Sequence, residues 1–390
     1  MKYLFYNNYC TGRSGLSNGI MSIELGVVLA YLTDRVLVIE GNVSPPANLV
    51  SYGDRVSNRH PSKITDLLDV PVPFLALEQI DLSTLSRREL FDESLLDSVF
   101  YYPANLETDT PDFEFFRQGR PYKFTYPDDY REVEVLALSG GVEYGKARHK
   151  MNNLGFYSTL FYLGEEWKPQ VKNLLGRMRP KKHLADFAGR VAASLGRFNA
   201  VHLRRGDFKR TVGKSVLLRR PSEVIERLDH NFARSERLLI LTDESEDAFV
   251  KEIQMAYRDH VVLDRFILDE FGQEFLDLPQ HDSVALAFLS QLVAAESEDF
   301  VGTMTSTYTS LIQRQRGNRG RDERFKFLWN EIPARDIELL AGTTPANEEV
   351  PLYPNGEMVE QYAGPYSWNR YCPRIDTGWM REWPESFLLP

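Results

Sequence analysis

Between residues 198 and 316, short β-branched apolar runs alternate with amphipathic stretches, and few folds accommodate that rhythm. Phe198–Leu203 reads as a strand. Pro221–Phe232 reads as a helix, with Pro in its first turn and Ser222 beside it. Arg237–Leu241 is a strand, Glu246–Tyr257 a helix and His260–Leu263 a strand. Ser283–Ala295 is a helix, Asp299–Val301 a strand and Ser306–Arg316 a helix. Strands that alternate with helices build a parallel sheet covered on both faces, a doubly wound α/β domain. Such sheets bind ligands at the carboxyl ends of their strands, so the residues just after each strand carry the chemistry.

The first 40 residues repeat the theme. Lys2–Tyr6 is a short apolar run, followed by a segment with three glycines, CTGRSGLSNG. Ile20, Ile23, Val27 and Tyr31 then fall at helical spacing. Asp34 interrupts the pattern, and Arg35–Glu40 is a β-branched strand. This is a βαβ unit, and a chain of 390 residues has room for a second domain around it. From residue 41 to 150, proline clusters, aromatics and charges alternate without a sustained period, as in long loops. Gly155–Met178 and Lys181–Leu195 read as helices, the second with Leu184, Phe187, Ala188 and Val191 on one face. The division therefore falls near Arg179–Lys182: residues 1–180 form one Rossmann-like domain and 181–344 another. The Pro- and aromatic-rich residues 345–390 are expected to wrap the surface.

Charge and cysteine content narrow the function classes. A net charge of −10 argues against a protein that coats nucleic acid or an anionic membrane. An anionic ligand must then be held by local positive charge. Cys10 and Cys372 cannot make a disulfide framework; reduced thiols in a cytoplasmic protein are the simplest expectation, with a single bridge as the alternative. The N-terminus enters a strand directly, without the pattern of a signal peptide. The longest apolar segment, Ile20–Leu32, contains Glu24 and falls short of the roughly 20 residues a membrane span needs.

Four segments carry candidate chemistry. The strand end Val201-His-Leu-Arg-Arg-Gly-Asp-Phe208 offers two guanidiniums, which grip diphosphate oxygens through forked, charge-assisted hydrogen bonds. Alternation along a strand sends Arg204 and Arg205 to opposite faces, so only one faces the ligand squarely. The competing explanation is a pair of arginines neutralised by carboxylates. In Phe300-Val-Gly-Thr-Met-Thr-Ser-Thr-Tyr308, three hydroxyl residues, Thr305, Ser306 and Thr307, meet a helix N-terminus that favours anions. One would suffice as a cap. At Thr242-Asp-Glu-Ser245, Asp243 or Glu244 is placed to accept hydrogen bonds from ribose or a base edge; capping by Thr242 or Ser245 explains the pattern equally well. The loop Gly12-Arg-Ser-Gly-Leu-Ser-Asn-Gly19 lacks both the P-loop Lys-Ser/Thr pair and the dinucleotide fingerprint, although Arg13 and Asn18 offer polar contacts. The seven histidines and two cysteines show no metal-ligand spacing.

Taken in order, GRSGLSN, HLRRGD, TDES and FVGTMTST resemble the motifs of the GDP-fucose O-fucosyltransferase and α1,6-fucosyltransferase superfamily. The resemblance covers roughly the first 40 residues and Phe198–Arg316. It implies a GT-B architecture, two Rossmann-like domains facing across a cleft, with the acceptor on the N-terminal side and a nucleotide-sugar donor, GDP-fucose, on the C-terminal side. It implies that Arg204 binds the β-phosphate with Arg205 in support, and that His202 lies near the nucleoside. Ser306 and Thr307, with Thr305, would touch the diphosphate. Arg13, Gly15 and Asn18 would approach the donor from the first domain, and Asp243 would lie near the nucleotide. One position departs from the family: Ser290 stands where an Asp commonly contacts guanine, with Asp282 and Gln291 as candidate substitutes.

The implied reaction is inverting and metal-independent. Arg204 and the hydroxyls would neutralise the leaving diphosphate. Asp207, Glu24 or no enzyme carboxylate would serve as the base. The acceptor would be a peptide, an oligosaccharide or a small natural product met by a bacterial-style cytoplasmic enzyme. The competing expectations are a same-fold transferase for another nucleotide sugar and an inactive sugar- or nucleotide-binding protein. A kinase or sulfotransferase is disfavoured by the missing P-loop lysine.

Overall fold

The computed structural model describes residues 2–7, 16–39, 56, 62–76, 135–139, 168–205, 220–244, 247–303, 306–319, 321 and 328. The N-terminal half begins with β1 (Tyr3–Asn7), α1 (Leu16–Leu32) and β2 (Val36–Ile39). It continues with α2 (Ile64–Leu67), β3 (Phe74–Ala76) and β4 (Val135–Ser139). Its sheet is wholly parallel, in the order β3-β2-β1-β4. Helix α1 starts at Leu16, so the last residues of the glycine-rich segment are helical rather than loop. It closes on Asp34, whose φ of 51° lets the Arg35 and Asp34 N–H groups return to the Ala30 and Tyr31 carbonyls.

Helices α3 (Lys168–Gly176) and α4 (Lys182–Leu195) link the halves. Between them the chain bonds back to the first half, through Asp69 N–H to the Arg179 carbonyl and Lys181 N–H to the Leu67 carbonyl. All four apolar residues assigned to one face of α4 are buried.

The second half runs β5 (Asn199–Leu203), α5 (Pro221–Asp229), β6 (Leu238–Thr242), α6 (Asp247–Ala256) and β7 (His260–Val262). It then runs α7 (Leu263–Glu270), α8 (Gly272–Leu276), α9 (Ser283–Ala294), β8 (Phe300–Val301) and α10 (Thr307–Asn318). Its order is β7-β6-β5-β8, again all parallel, and the same topology as the first sheet. The α/β class expected from the alternation is the one observed. Helices α7 and α8 were not anticipated; α7 follows β7 with no turn residue to mark the change of period.

The strand order fixes two faces. Steps from β5 to β6 to β7 run one way, and the step to β8 reverses direction. Right-handed crossovers then place the intervening helices on opposite faces. The burial pattern agrees. Val201, Leu203, Leu238 and Ile240 pack with α5 and α6 residues such as Val224, Phe249 and Ile253. Ala200, Leu239 and Leu241 pack on the other face with α9 and α10. That second cluster is continuous with Leu4, Ile20 and Val27 of the first half. Helix α9 is buried along its whole length, as a helix apolar all round must be, and α1 packs against both α9 and α10. Even-numbered β5 side chains therefore turn toward the first half, and odd-numbered ones toward α6.

Candidate functional site at the carboxyl edge of the second sheet

The direction of the chain reverses between β5 and β8, the point at which sheets of this kind usually take their ligands, outside the carboxyl ends of the strands. Thr303, just beyond β8, ties the two strands together past the end of their ladder. Its hydroxyl donates to the His202 carbonyl at 2.9 Å and accepts the Arg204 N–H at 2.9 Å. Ser306 stands immediately before α10, where its carbonyl accepts the Ser310 N–H at 3.1 Å. Thr307 opens the helix. Arg204, Ser306 and Thr307 thus belong to one turn system at the reversal point.

Strand parity separates the two arginines. Arg205 lies on the α6 face, its guanidinium carbon 3.7 Å from the centre of the Phe249 ring and its Nε donating to Glu244 at 2.7 Å. The side chains of this pair are only 10% and 1% exposed, so the charge is neutralised in the interior. Arg204 lies on the opposite face, the one turned toward α10, with its Nε 3.2 Å from Asp243 Oδ2. Asp243 Oδ1 accepts the Arg205 N–H at 2.7 Å. Thr242 donates to the Leu203 carbonyl at 2.8 Å and accepts the Glu244 N–H at 3.0 Å. The TDE strand end is therefore a bracket for the two arginines. Neutralising carboxylates, one of the two explanations open at the sequence level, are present.

His202 is buried beneath this edge. Its Nδ1 shares a hydrogen bond of 2.8 Å with Thr309, and its ring lies 4.6 Å from that of Tyr308. Burial, with the charge of Arg204 adding to it, pulls the imidazole from 6.5 down to about 3. Lowered so far, it stays neutral at ordinary pH. Tyr308 donates to the Ala287 carbonyl at 2.9 Å. Burial raises its phenol well above the usual value; Asp264 adds to the rise, and Arg204 opposes it. Gly302 permits this packing, because an added Cβ would meet Thr309 Oγ1 at 2.7 Å and its Cβ at 2.9 Å.

Asn18 sits in the first turn of α1. Arg13, Gly15, Asp207 and Thr305 lie outside the described residues. Ser290 donates to Asp264, a residue of α7. Asp282 caps α9, accepting the Ala285 N–H at 2.8 Å, and also accepts the Ser62 N–H. Gln291 donates to Ser17 Oγ at 2.8 Å. Glu24 forms a two-pronged pair with Arg314. Sequence reasoning did not single out Thr303, Phe249, Tyr308, Thr309 or Asp264. Only Thr303 carried a signal, as the first hydroxyl of the FVGTMTST segment. Among the described residues, no group of three or more His, Cys, Asp or Glu gathers as a metal centre, and no helix is long and apolar enough to cross a membrane.

Fold and site together define a parallel α/β protein with two sheets, carrying an arginine and a hydroxyl-lined helix start at the reversal point of the second. No protein-family model matches the chain, and no curated protein matches it. Among solved structures it is similar to POFUT1 in complex with GDP, at 15% identity over 84% of this chain and 98% of that one, with a TM-score of 0.39. It is also similar to a mutant of Arabidopsis thaliana FUT1 in complex with GDP, at 15% identity over 81% and 69% of the two chains, TM-score 0.41. The fucosyltransferase NodZ from Bradyrhizobium is similar at 12% identity over 81% and 94%, TM-score 0.41.

Proposed function

We propose that the chain is a glycosyltransferase that moves fucose from GDP-fucose to a hydroxyl acceptor, with inversion and without a metal. In this reading it is a GT-B enzyme, with residues 1–180 on the acceptor side and 181–344 holding the donor. The observation that carries it is the placement of Arg204 beside the start of α10 at the β5/β8 reversal. A guanidinium and a helix N-terminus at one crevice form a diphosphate grip that works even in a protein of net charge −10. The motif resemblance supplies the identity of the donor, and POFUT1 has been crystallised with GDP-fucose.

In the reaction, the bond between the sugar C1 and the diphosphate oxygen breaks through an oxocarbenium-like state. Negative charge grows on the departing diphosphate. Arg204, Ser306, Thr307 and the N–H groups opening α10 stabilise that charge where it develops. The acceptor hydroxyl attacks C1 from the opposite face and gives up its proton. His202 is a poor acceptor for it, being buried, weakly basic and bonded to Thr309. Glu24 is buried and paired to Arg314. Asp207 remains the proposed base. Arg205 supports Arg204 by holding the backbone of the strand end.

The test is turnover of GDP-fucose by wild type and by Arg204→Ala. The expected loss is on the order of 10²–10³ in rate, as for removal of one preorganised charge contact. Turnover within twofold of wild type refutes the assignment.

A further inference from the structure

Two helices that belong to different sheets begin within reach of one side chain. Helix α1 ends beside the amino ends of β1 and β2, where the Val36 N–H donates to the Lys2 carbonyl, so it begins at the carboxyl edge of the first sheet. Helix α10 begins shortly after Thr303, at the carboxyl edge of the second. Gln291, on α9, joins the two starts. Its Nε2 donates to Oγ of Ser17, the second residue of α1, at 2.8 Å. It also donates, more loosely, to the carbonyl of Tyr308, the second residue of α10, at 3.5 Å. Gln291 and Ser17 are 0% and 2% exposed, so the join is closed to solvent. Tyr308 is held to α9 a second time, by its phenol on the Ala287 carbonyl at 2.9 Å, one turn before Gln291 on the same face. The start of α10 is thus fixed on α9 at two points, and Gln291 carries that fixed position across to α1.

Packing alone does not account for a glutamine here. Helix α9 is buried along its whole length and mostly apolar. Among the described residues, Oε1 of Gln291 has no hydrogen-bond partner. A buried acceptor left unpaired is a destabilising feature that Met or Leu at this position would not carry. An amide retained under that handicap serves by placing its two neighbours rather than by stabilising the fold.

We propose that Gln291 is a positioning residue for the transfer reaction: it sets the start of α1 against the start of α10, so that both halves of the molecule meet the donor in one register. The inference rests on the donor site proposed above. Ser17 precedes Asn18, and Tyr308 follows Ser306 and Thr307. A shift of either helix start moves groups assigned above to the donor. The loss then falls on the transition state, where the charge on the leaving diphosphate is greatest. Gln291 itself touches no substrate; it acts through Ser17 and Tyr308.

The experiment follows turnover of GDP-fucose by the full chain in wild type, Gln291→Met, Ser17→Ala and the double variant. Met keeps the length and bulk of the side chain without its amide. We expect kcat of Gln291→Met to fall by about 10- to 100-fold, the scale of a small misplacement at a reacting centre. Donor KM should stay within about threefold, because ground-state binding is largely kept. The thermal transition should stay within about 4 °C of wild type. Ser17→Ala should lower kcat by less, and the double variant should be no slower than Gln291→Met, since both residues act through one join. Amide hydrogen exchange in the N-terminal halves of α1 and α10 should quicken together in Gln291→Met. An unchanged kcat in Gln291→Met overturns the inference and leaves the donor site standing. So does a loss of rate that only tracks loss of folded protein, or single effects that simply multiply in the double variant. Exchange that quickens in one helix alone also overturns it. Absence of any GDP-fucose turnover by wild type overturns both readings.

Discussion

Arg204 Nε stands 3.2 Å from Oδ2 of Asp243, a carboxylate supplied by the neighbouring strand end. The same Asp243 accepts the Arg205 N–H, so one side chain fixes both the guanidinium and the backbone beneath it. This makes Asp243 a positioning residue for the diphosphate grip. Asp243→Asn keeps an acceptor for the N–H but removes the charge that aims Arg204. We expect donor turnover to fall by about 10- to 100-fold, the scale of a small misplacement of a catalytic group. The thermal transition should move much less than the rate. Steady-state kinetics with the donor varied check this; unchanged kcat/KM shows that Arg204 aims itself.

Arg205 predicts a different phenotype. Its guanidinium lies between Glu244 and the Phe249 ring, almost without solvent. Replacing Glu244 with Ala strands a buried cation. Breaking a buried pair on one side costs about 3–5 kcal/mol. Arg205→Lys should not restore the wild-type state, because an ammonium cannot both stack on Phe249 and keep the forked geometry. Urea denaturation of both variants measures the loss. A midpoint unchanged in Glu244→Ala contradicts the buried pair.

The contrast between the two arginines shows how far the sequence carries. Strand parity was enough to send Arg204 and Arg205 to opposite faces, since alternation is a local property of the chain. Parity alone does not say which face belongs to the ligand. That depends on where α10 and α6 pack, which follows from the order β7-β6-β5-β8. The alternation from 198 to 316 gave the strands to within a residue or so, because each is a short, mainly apolar run with little competing signal. Helices α7 and α8 escaped notice because they are short and abut β7 directly. Tyr31 matched the helical spacing of α1 yet is exposed, because it falls in the last turn, past the packed surface. The bond between Asp264 and Ser290 was invisible for another reason: its partners stand 26 positions apart, and no local pattern links the two.

His202 ties stability to pH. Its imidazole titrates at about 3 in the folded protein, lowered mainly by burial and further by Arg204, against 6.5 when unperturbed. Between those values the unfolded chain binds a proton that the folded chain refuses. Stability from this group is therefore complete above about pH 6.5 and declines as pH falls toward 3, with a slope of up to about 1.4 kcal/mol per unit. Urea midpoints between pH 7.5 and 5 should fall in wild type. In His202→Gln, which cannot titrate, they should fall less steeply. Parallel slopes in the two proteins exclude His202 as the source.

Glu24 and Arg314 join the two halves. Glu24 lies on α1, next to the first sheet, and Arg314 on α10, beside the candidate site. Both terminal nitrogens of Arg314 donate to the two oxygens of Glu24, and the side chains are 11% and 3% exposed. A forked pair of this kind fixes direction as well as distance. Around it, Gln291 donates to Ser17 and the apolar core continues from α1 into α9 and α10. The pair therefore sets the register of α1 against α10, the helix whose first residues form the proposed anion site. Glu24→Gln leaves the Arg314 charge enclosed without its counter-ion, and we expect a loss of about 3–5 kcal/mol in stability. The double variant Glu24→Gln/Arg314→Met should lose less than the sum of the two single changes, by about 0.5–3 kcal/mol, because the residues share one interaction. Glu24 encloses its carboxylate in this pair, so the pH–rate profile of Glu24→Gln at a temperature where it remains folded should keep the wild-type shape. Strict additivity in urea denaturation contradicts the lock. Loss of the acidic limb in the pH–rate profile would instead make Glu24 the proton acceptor.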